Sequence, residues 1–282
     1  LRHAKAFAAT HGEKEPLLKP VLQTHLPFAP WLAKTTWRLP GVEPVPPDDW
    51  LIRDDAFTGQ MALRDHLIET RAGDVHRVAP KAKAAAQECL ELALDALRTD
   101  PGYRFNGDAI HRPDGVVISI DRDMPLLTLG RLQQADICLM QAGPDGHVLT
   151  GAILCFPAQW TLDEKMGKPL TAIHRPVPAY SPDLARRVQR LFDGLKPGQI
   201  LRRGNALLYP EPDLFTPRSE DRAVPHRRIE NARYVRSERQ TLRRLPGADA
   251  VVFTIHTFVV ALDNLTPPQR ETLGLLESGQ TP

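Results

Sequence analysis

The chain has 282 residues, 42% hydrophobic and 25% charged, a globular composition long enough to bury a sizeable core. Its 36 Lys and Arg against 34 Asp and Glu leave a net charge of +2, which gives no sign of nucleic acid or a membrane surface as partner. Cys89, Cys138 and Cys155 are widely spaced and odd in number, which excludes zinc spacing and a secreted disulfide framework and points to a reducing, cytoplasmic setting.

Proline is dense between Pro16 and Pro47, and "LPGVEPVPPDDW" predicts an extended stretch lying over the surface. Residues 1–55 therefore read as an extended N-terminal arm, packed on a single domain of residues 56–282. "AFTGQMALRDHLIETR" predicts a helix over 56–71 with Met61, Leu63, Leu67 and Ile68 inward. "APKAKAAAQECLELALDALRT" predicts a second helix, with Pro80 near its first turn and Ala86, Leu90, Ala93 and Leu97 on one face. "GVVISI" reads as a strand, "MPLLTLGRLQ" as a short helix, and "DICLMQAGPDGHVLTGAILCF" as a hairpin around Pro-Asp-Gly. "SPDLARRVQRLFDGL" carries Ser181 as N-cap, Pro182 in the first turn and Gly194 as stop. Three strands follow: "QILRRGNALLY", "ARYVRSE" over 232–238, and the β-branched "AVVFTIHTFVVAL". "TPPQRETLGLLESG" closes as one capped helix. Helices first and a strand meander later give an α+β fold with an antiparallel sheet and flanking helices. No apolar run approaches a membrane span, and no signal-peptide pattern appears.

Three stretches carry candidate chemistry. In "TAIHRPVPAY", Pro176 and Pro178 bias Arg175 and Val177 towards extended backbone, so His174 is expected on a stiff, non-helical arm that presents its imidazole, for instance to a metal. A rigid surface loop gives the same pattern. In "RYVRSERQTLRRLP", strand alternation places Tyr234, Arg236 and Glu238 on one face, where Arg can hold an anion and Glu can receive a cationic amine or pass a proton. A solvated salt-bridge face reads the same way. Between Arg186 and Arg244, fifteen Arg or Lys face seven acids, a surplus suited to an anionic cofactor or partner, while few aromatics interleave it for stacking single strands. His256 lies within the last strand, on the face of Thr254 and Phe258, as the second histidine candidate. His111, His147 and His226 sit in turn or charged contexts and are expected to be solvated. The chain has no HExxH, no Gly-x-Ser-x-Gly and no Gly-rich phosphate turn.

The strings "PAQW…EKMGKPLTAIHRPVP", "RRGNALLY" and "VRSERQTLRRLPGADAVVFTIHTF" resemble the heme-dependent oxidative N-demethylase family. The likeness extends more weakly upstream through "WLIRDDAFTGQMALRDHLI" and "LGRLQQADICLM". One departure is Gln134-Ala135-Asp136, where an acidic pair is expected. The resemblance implies a PAS-like, heme-binding sheet and oxygen-dependent removal of a methyl group from a small alkylamine. It also implies electrons from a separate flavin and iron–sulfur reductase. On that reading His174 is the axial ligand to the iron of a heme b, its other ring N–H held by a carbonyl. Glu238 receives the amine or relays protons, Arg236 and Arg239 position propionate or oxygen, and Arg203, Asn205 and His256 line the pocket. A non-catalytic PAS-like heme sensor or carrier is the alternative.

Overall fold

Ten strands are formed among the described residues; six coincide with the apolar, alternating or β-branched runs expected from sequence, and the first four in chain order, all short, do not. The ten are β1 (Glu43–Pro44), β2 (His76–Val78), β3 (Arg104–Asn106), β4 (Ala109–His111), β5 (Val117–Ser119), β6 (Asp136–Gln141), β7 (Val148–Ile153), β8 (Ile200–Tyr209), β9 (Tyr234–Arg244) and β10 (Ala250–Ala261). Seven of them make one antiparallel sheet in the order β1-β8-β9-β10-β6-β7-β2, while β3-β4-β5 form a small separate sheet. The structure is a computed structural model and describes residues 20–37, 40–176, 180–222 and 229–277.

The four longer helices are α1 (Phe57–Thr70), α2 (Lys83–Leu97), α3 (Pro125–Leu132) and α4 (Pro182–Gly194). Helices α1 to α3 bury Met61, Leu67, Ala86, Leu90, Ala93 and Leu129 with Ile137, Leu139 and Val252 on one face of the large sheet. Gly130 permits this approach, since a Cβ there would lie 2.6 Å from Ile153 and 3.0 Å from Ile68. Farther along the same face, Leu26 and Trp31 of the N-terminal segment and Leu265 and Leu273 pack on Ala206, Val235 and Phe258. The opposite face carries Cys138, Met140, Leu242, Val251 and Ile255 and is covered by Phe192 and Val188 of α4 and by the turn Leu170–Ile173. Ser181 caps α4 as expected, its Oγ accepting from the Leu184 amide at 3.2 Å.

The α+β class and the helix–hairpin–helix–meander order agree with the sequence reading; four details differ. Strand β9 runs on to Arg244, because β8 and β10 pair with it along that whole length. The proline-rich segment lies half-exposed along the sheet edge but is anchored: Trp31 and Trp50 are fully buried, and β1 pairs with the edge of β8. The closing helix breaks into Pro267–Glu271 and Gly274–Glu277, with the Thr272 hydroxyl bonded to the Pro268 carbonyl and to Trp31 Nε1. His147 is buried against Phe192, its Nδ1 accepting from Gln189 Nε2 at 2.9 Å, since the hairpin turn folds under α4. Residues 177–179 and His226 lie outside the described residues. No helix among the described residues is long and apolar enough to cross a membrane.

Candidate functional site

The covered face of the meander holds a polar ladder where an apolar core would be the default. Register sets Arg203 opposite Gln240, and Asn205 opposite Glu238, which is in turn opposite Thr257 on β10. Cross-strand pairs share a face, so these five side chains converge. Arg203 Nη1 donates to Gln240 Oε1. Gln240 Nε2 donates to Glu238 Oε2 at 3.0 Å, and Asn205 Nδ2 reaches the same oxygen at 3.5 Å. Arg236 Nε lies 3.4 Å from Glu238 Oε1, while its two Nη atoms donate to the Leu214 carbonyl at 3.0 Å and the Phe156 carbonyl at 2.5 Å. Glu238 is thus a buried carboxylate with its position fixed from three sides.

The face is hollow rather than packed. On β8 the residues turned to the opposite face, Gly204, Ala206 and Leu208, are buried, whereas Arg203, Asn205 and Leu207 stay half-accessible. Burial nevertheless pushes the Arg203 guanidinium down to about 10, against the pull of Glu238. A group surrounded by protein that still keeps open surface lines a cavity. Arg203 Nε, Thr257 Oγ1 and Tyr180 Oη are buried without a hydrogen-bond partner. Unsatisfied buried polar atoms are costly, so these three offer unused hydrogen-bonding capacity to a bound group.

His174 closes this face. It follows the helical turn Leu170–Ile173, with φ −93° and ψ 5°, and Arg175 continues the turn through its amide to the Ala172 carbonyl. The expected extended arm is therefore a turn up to Arg175, because the Leu170 carbonyl takes both the His174 amide (3.0 Å) and ring Nδ1 (2.9 Å). That second bond fixes the tautomer with Nδ1 protonated and leaves Nε2 with a free lone pair. The Tyr180 ring stacks on the imidazole at 4.4 Å, and the buried Lys165 ammonium holds the Ile173 carbonyl at 2.8 Å while pairing with Glu220. Burial first, then the charges of Arg203 and Lys165, hold the His174 imidazole below the ordinary histidine value.

The sequence candidates do not all meet. Arg203, Asn205, Arg236 and Glu238 share the hollow face, and the Arg203 charge is felt at His174. Arg239 and His256 point to the opposite face, one residue out of phase with Glu238 and Thr257. There Arg239 donates to the Trp50 carbonyl and pairs with Asp49 at 2.9 Å. His256 Nε2 meets Asp54 Oδ2 at 2.9 Å, inside a cluster with Gln23 and Gln134. Part of the arginine surplus is taken up inside the protein: Arg236 and Arg239 are buried, while the partly exposed Arg202 and Arg244 are paired with Glu43 and Asp249. Gln240, Thr257, Tyr180 and Lys165 were not singled out from sequence. Gln240 was open to detection, since it stands two residues beyond Glu238 on the same strand face.

The family model for haem-dependent oxidative N-demethylase, alpha subunit-like, matches residues 41–279. The chain belongs to that family. Membership agrees with the strings around His174 and Glu238, and it makes heme the group against which the hollow face is to be tested. The donor set fits. The face has an imidazole with one nitrogen tied to a carbonyl and the other free, a buried arginine with an unsatisfied N–H, and an aromatic ring beside the imidazole.

Three wholly or partly buried histidines also set a pH dependence. His174, His147 and His76 are each held below the ordinary value of 6.5, with burial as the first cause. The unfolded chain takes up these protons and the folded chain resists them, so stability is fullest above about pH 6.5 and declines as the pH falls below it. The urea midpoint at pH 5.5 is expected to lie below that at pH 7.5, a range above the ordinary carboxylate values. An equal or higher midpoint at pH 5.5 would count against the burial of these imidazoles.

Proposed function

We propose that the hollow face is a PAS-like heme cradle and that the protein is a heme-dependent monooxygenase removing a methyl group from a small alkylamine. The observation that carries the reading is His174, whose Nδ1 is bonded to the Leu170 carbonyl and whose Nε2 is free beside the Arg203–Gln240–Glu238 ladder. Residues 56–282 form the heme-binding domain, with the N-terminal segment packed on it.

Heme b, when bound, supplies the O2-dependent oxidation of the N-methyl group, releasing formaldehyde and the shortened amine for two electrons and two protons. His174 holds the iron through Nε2, and Tyr180 and Lys165 fix the ring and the turn that carries it. Arg203 and its unsatisfied Nε offer a positive donor to a propionate or another anionic group. Glu238 accepts from the N–H of the protonated amine and so orients the methyl group, or moves a proton at its free lone pairs. Thr257 Oγ1, directly across from Glu238, offers a second polar contact to the same amine. Arg236 holds Glu238 in place. As the family resemblance implies, the electrons come from a separate reductase carrying flavin and iron–sulfur groups.

A buried carboxylate fixed by Asn205, Gln240 and Arg236 is suited to hold a substrate amine, which favours the enzyme reading over a heme sensor. The purified protein is expected to show a Soret band as isolated or after addition of hemin, and acid–acetone is expected to extract the porphyrin. Dimethylamine with an electron donor and O2 is expected to yield formaldehyde. A preparation that stays colourless after hemin addition removes the proposal, and heme without formaldehyde returns the protein to the sensor class.

A further inference from the structure

We infer that Asp136 is a positioning residue for Glu238, acting through the Phe156 backbone and Arg236. The inference rests on the reading of Glu238 as the amine-binding carboxylate. It starts from a buried ion pair with no obvious use for stability. Asp136, the first residue of β6, and Arg64 of α1 are both fully buried, with Arg64 Nη1 at 2.7 Å from Asp136 Oδ1. Such pairs are often replaced by apolar residues at no cost, so their presence asks what else they do.

Both Asp136 oxygens are committed to the loop after β7. Oδ1 accepts the Cys155 amide at 2.7 Å and Oδ2 the Phe156 amide at 2.9 Å. Residue 157 is proline, which restricts Phe156 to extended backbone. With its N–H held by Asp136 and its ψ restricted by Pro157, Phe156 has little freedom in where its carbonyl points. That carbonyl accepts Arg236 Nη2 at 2.5 Å. The opposite side of the guanidinium is held by the Leu214 carbonyl, and the loop bearing Leu214 is tied to the 156–159 segment through Thr216, whose hydroxyl donates to the Pro157 carbonyl at 2.8 Å. Arg236 is thus clamped between two carbonyls, with Nε left to meet Glu238 Oε1. A continuous series of hydrogen bonds runs from α1 to the carboxylate: Arg64, Asp136, Phe156, Arg236, Glu238.

This assigns the loop 154–157 a role at the open end of the sheet. Strand β6 begins at Asp136, opposite Ile255, so beyond that register β10 keeps β9 but has no β6 neighbour, and its Thr257 carbonyl accepts from Gln23 Nε2 and Gln60 Nε2 instead.

Asp136→Asn replaces one accepting oxygen by an NH2 that faces a donor, and Pro157→Ala frees the Phe156 backbone while leaving every charge in place. Both are made in the wild-type and the Glu238→Gln backgrounds of the hemin-reconstituted chain. In the wild-type background the ferric spectrum is expected to stay native, while kcat for formaldehyde falls about ten- to hundredfold, the usual effect of small misplacement of a reacting group. In the Glu238→Gln background neither substitution is expected to lower kcat further. Equal fold losses in both backgrounds, or native turnover of both variants, overturn the inference. Pro157→Ala keeps the test available if Asp136→Asn does not fold. Should Glu238→Gln itself retain native turnover, the reading of Glu238 fails separately. The positioning claim is then read from urea unfolding of the heme-free chain. Destabilisation by Pro157→Ala and by Arg236→Lys should be non-additive, and additive values reject it.

Discussion

His174→Ala is expected to abolish heme retention during purification, or to leave a weakly bound form with a shifted Soret maximum. Losing a group that merely orients a metal ligand typically lowers affinity about ten- to hundredfold, so losing the ligand itself is expected to cost more. The scaffold is expected to survive, because His174 ends a surface turn whose backbone bonds to Leu170 and whose Ile173 carbonyl bond to Lys165 do not need the imidazole. Its side chain gives up only the Nδ1 bond and the stacking on Tyr180. Added imidazole is expected to restore the spectrum in part by occupying the vacated position. His256→Ala is the control on the other face. It breaks the bond to Asp54 in a buried polar cluster and is expected to lower stability by about 1–3 kcal/mol while leaving iron ligation intact. Both variants need matching circular dichroism before spectra are compared. A native spectrum for His174→Ala and a lost one for His256→Ala would reverse the assignment.

The contrast between these two histidines shows what a sequence carries and what it leaves to the fold. Alternation along β9 predicts that Arg236 and Glu238 face the same way, and they do. The same rule sends Arg239 to the opposite face, and grouping it with Arg236 by nearness in sequence lost that information. Proline chemistry at 176 and 178 acts on the residues just before each proline, so it had little to say about His174 two positions upstream. The local competitor that decides its conformation is the Leu170 carbonyl, four residues back. The partners that make the site a site are non-local. Thr257 meets Glu238 and Gln240 meets Arg203 only once β8, β9 and β10 have their register, and Asp54 finds His256 across 202 positions. Hairpin, caps and helix faces are local and were legible; the polar ladder around Glu238 is a product of non-local pairing and was not.

Glu238→Gln is expected to keep heme, fold and ferric spectrum, and to lose about a hundredfold to ten-thousandfold in turnover, the usual contribution of a group that handles a proton or holds a reacting cation. The substitution is nearly isosteric. With its oxygen at the Oε2 position Gln keeps an acceptor for both Gln240 Nε2 and Asn205 Nδ2, but its NH2 at the Oε1 position opposes Arg236 Nε. One hydrogen bond in the ladder is therefore lost, and a stability loss of about 1–3 kcal/mol is expected from the buried donor left over. Because Arg236 remains clamped by the Phe156 and Leu214 carbonyls, the guanidinium has little room to relax. The missing charge is felt mainly by whatever occupies the hollow. If the amine binds as a cation, its spectral dissociation constant rises along with the fall in kcat. If Glu238 only relays a proton, kcat falls and the dissociation constant stays. Glu238→Asp separates charge from placement: it keeps the carboxylate but draws it back by one methylene, and partial activity between wild type and Glu238→Gln is expected. Wild-type formaldehyde production by Glu238→Gln would show instead that this carboxylate is a buried structural partner of Arg236, with no part in the reaction.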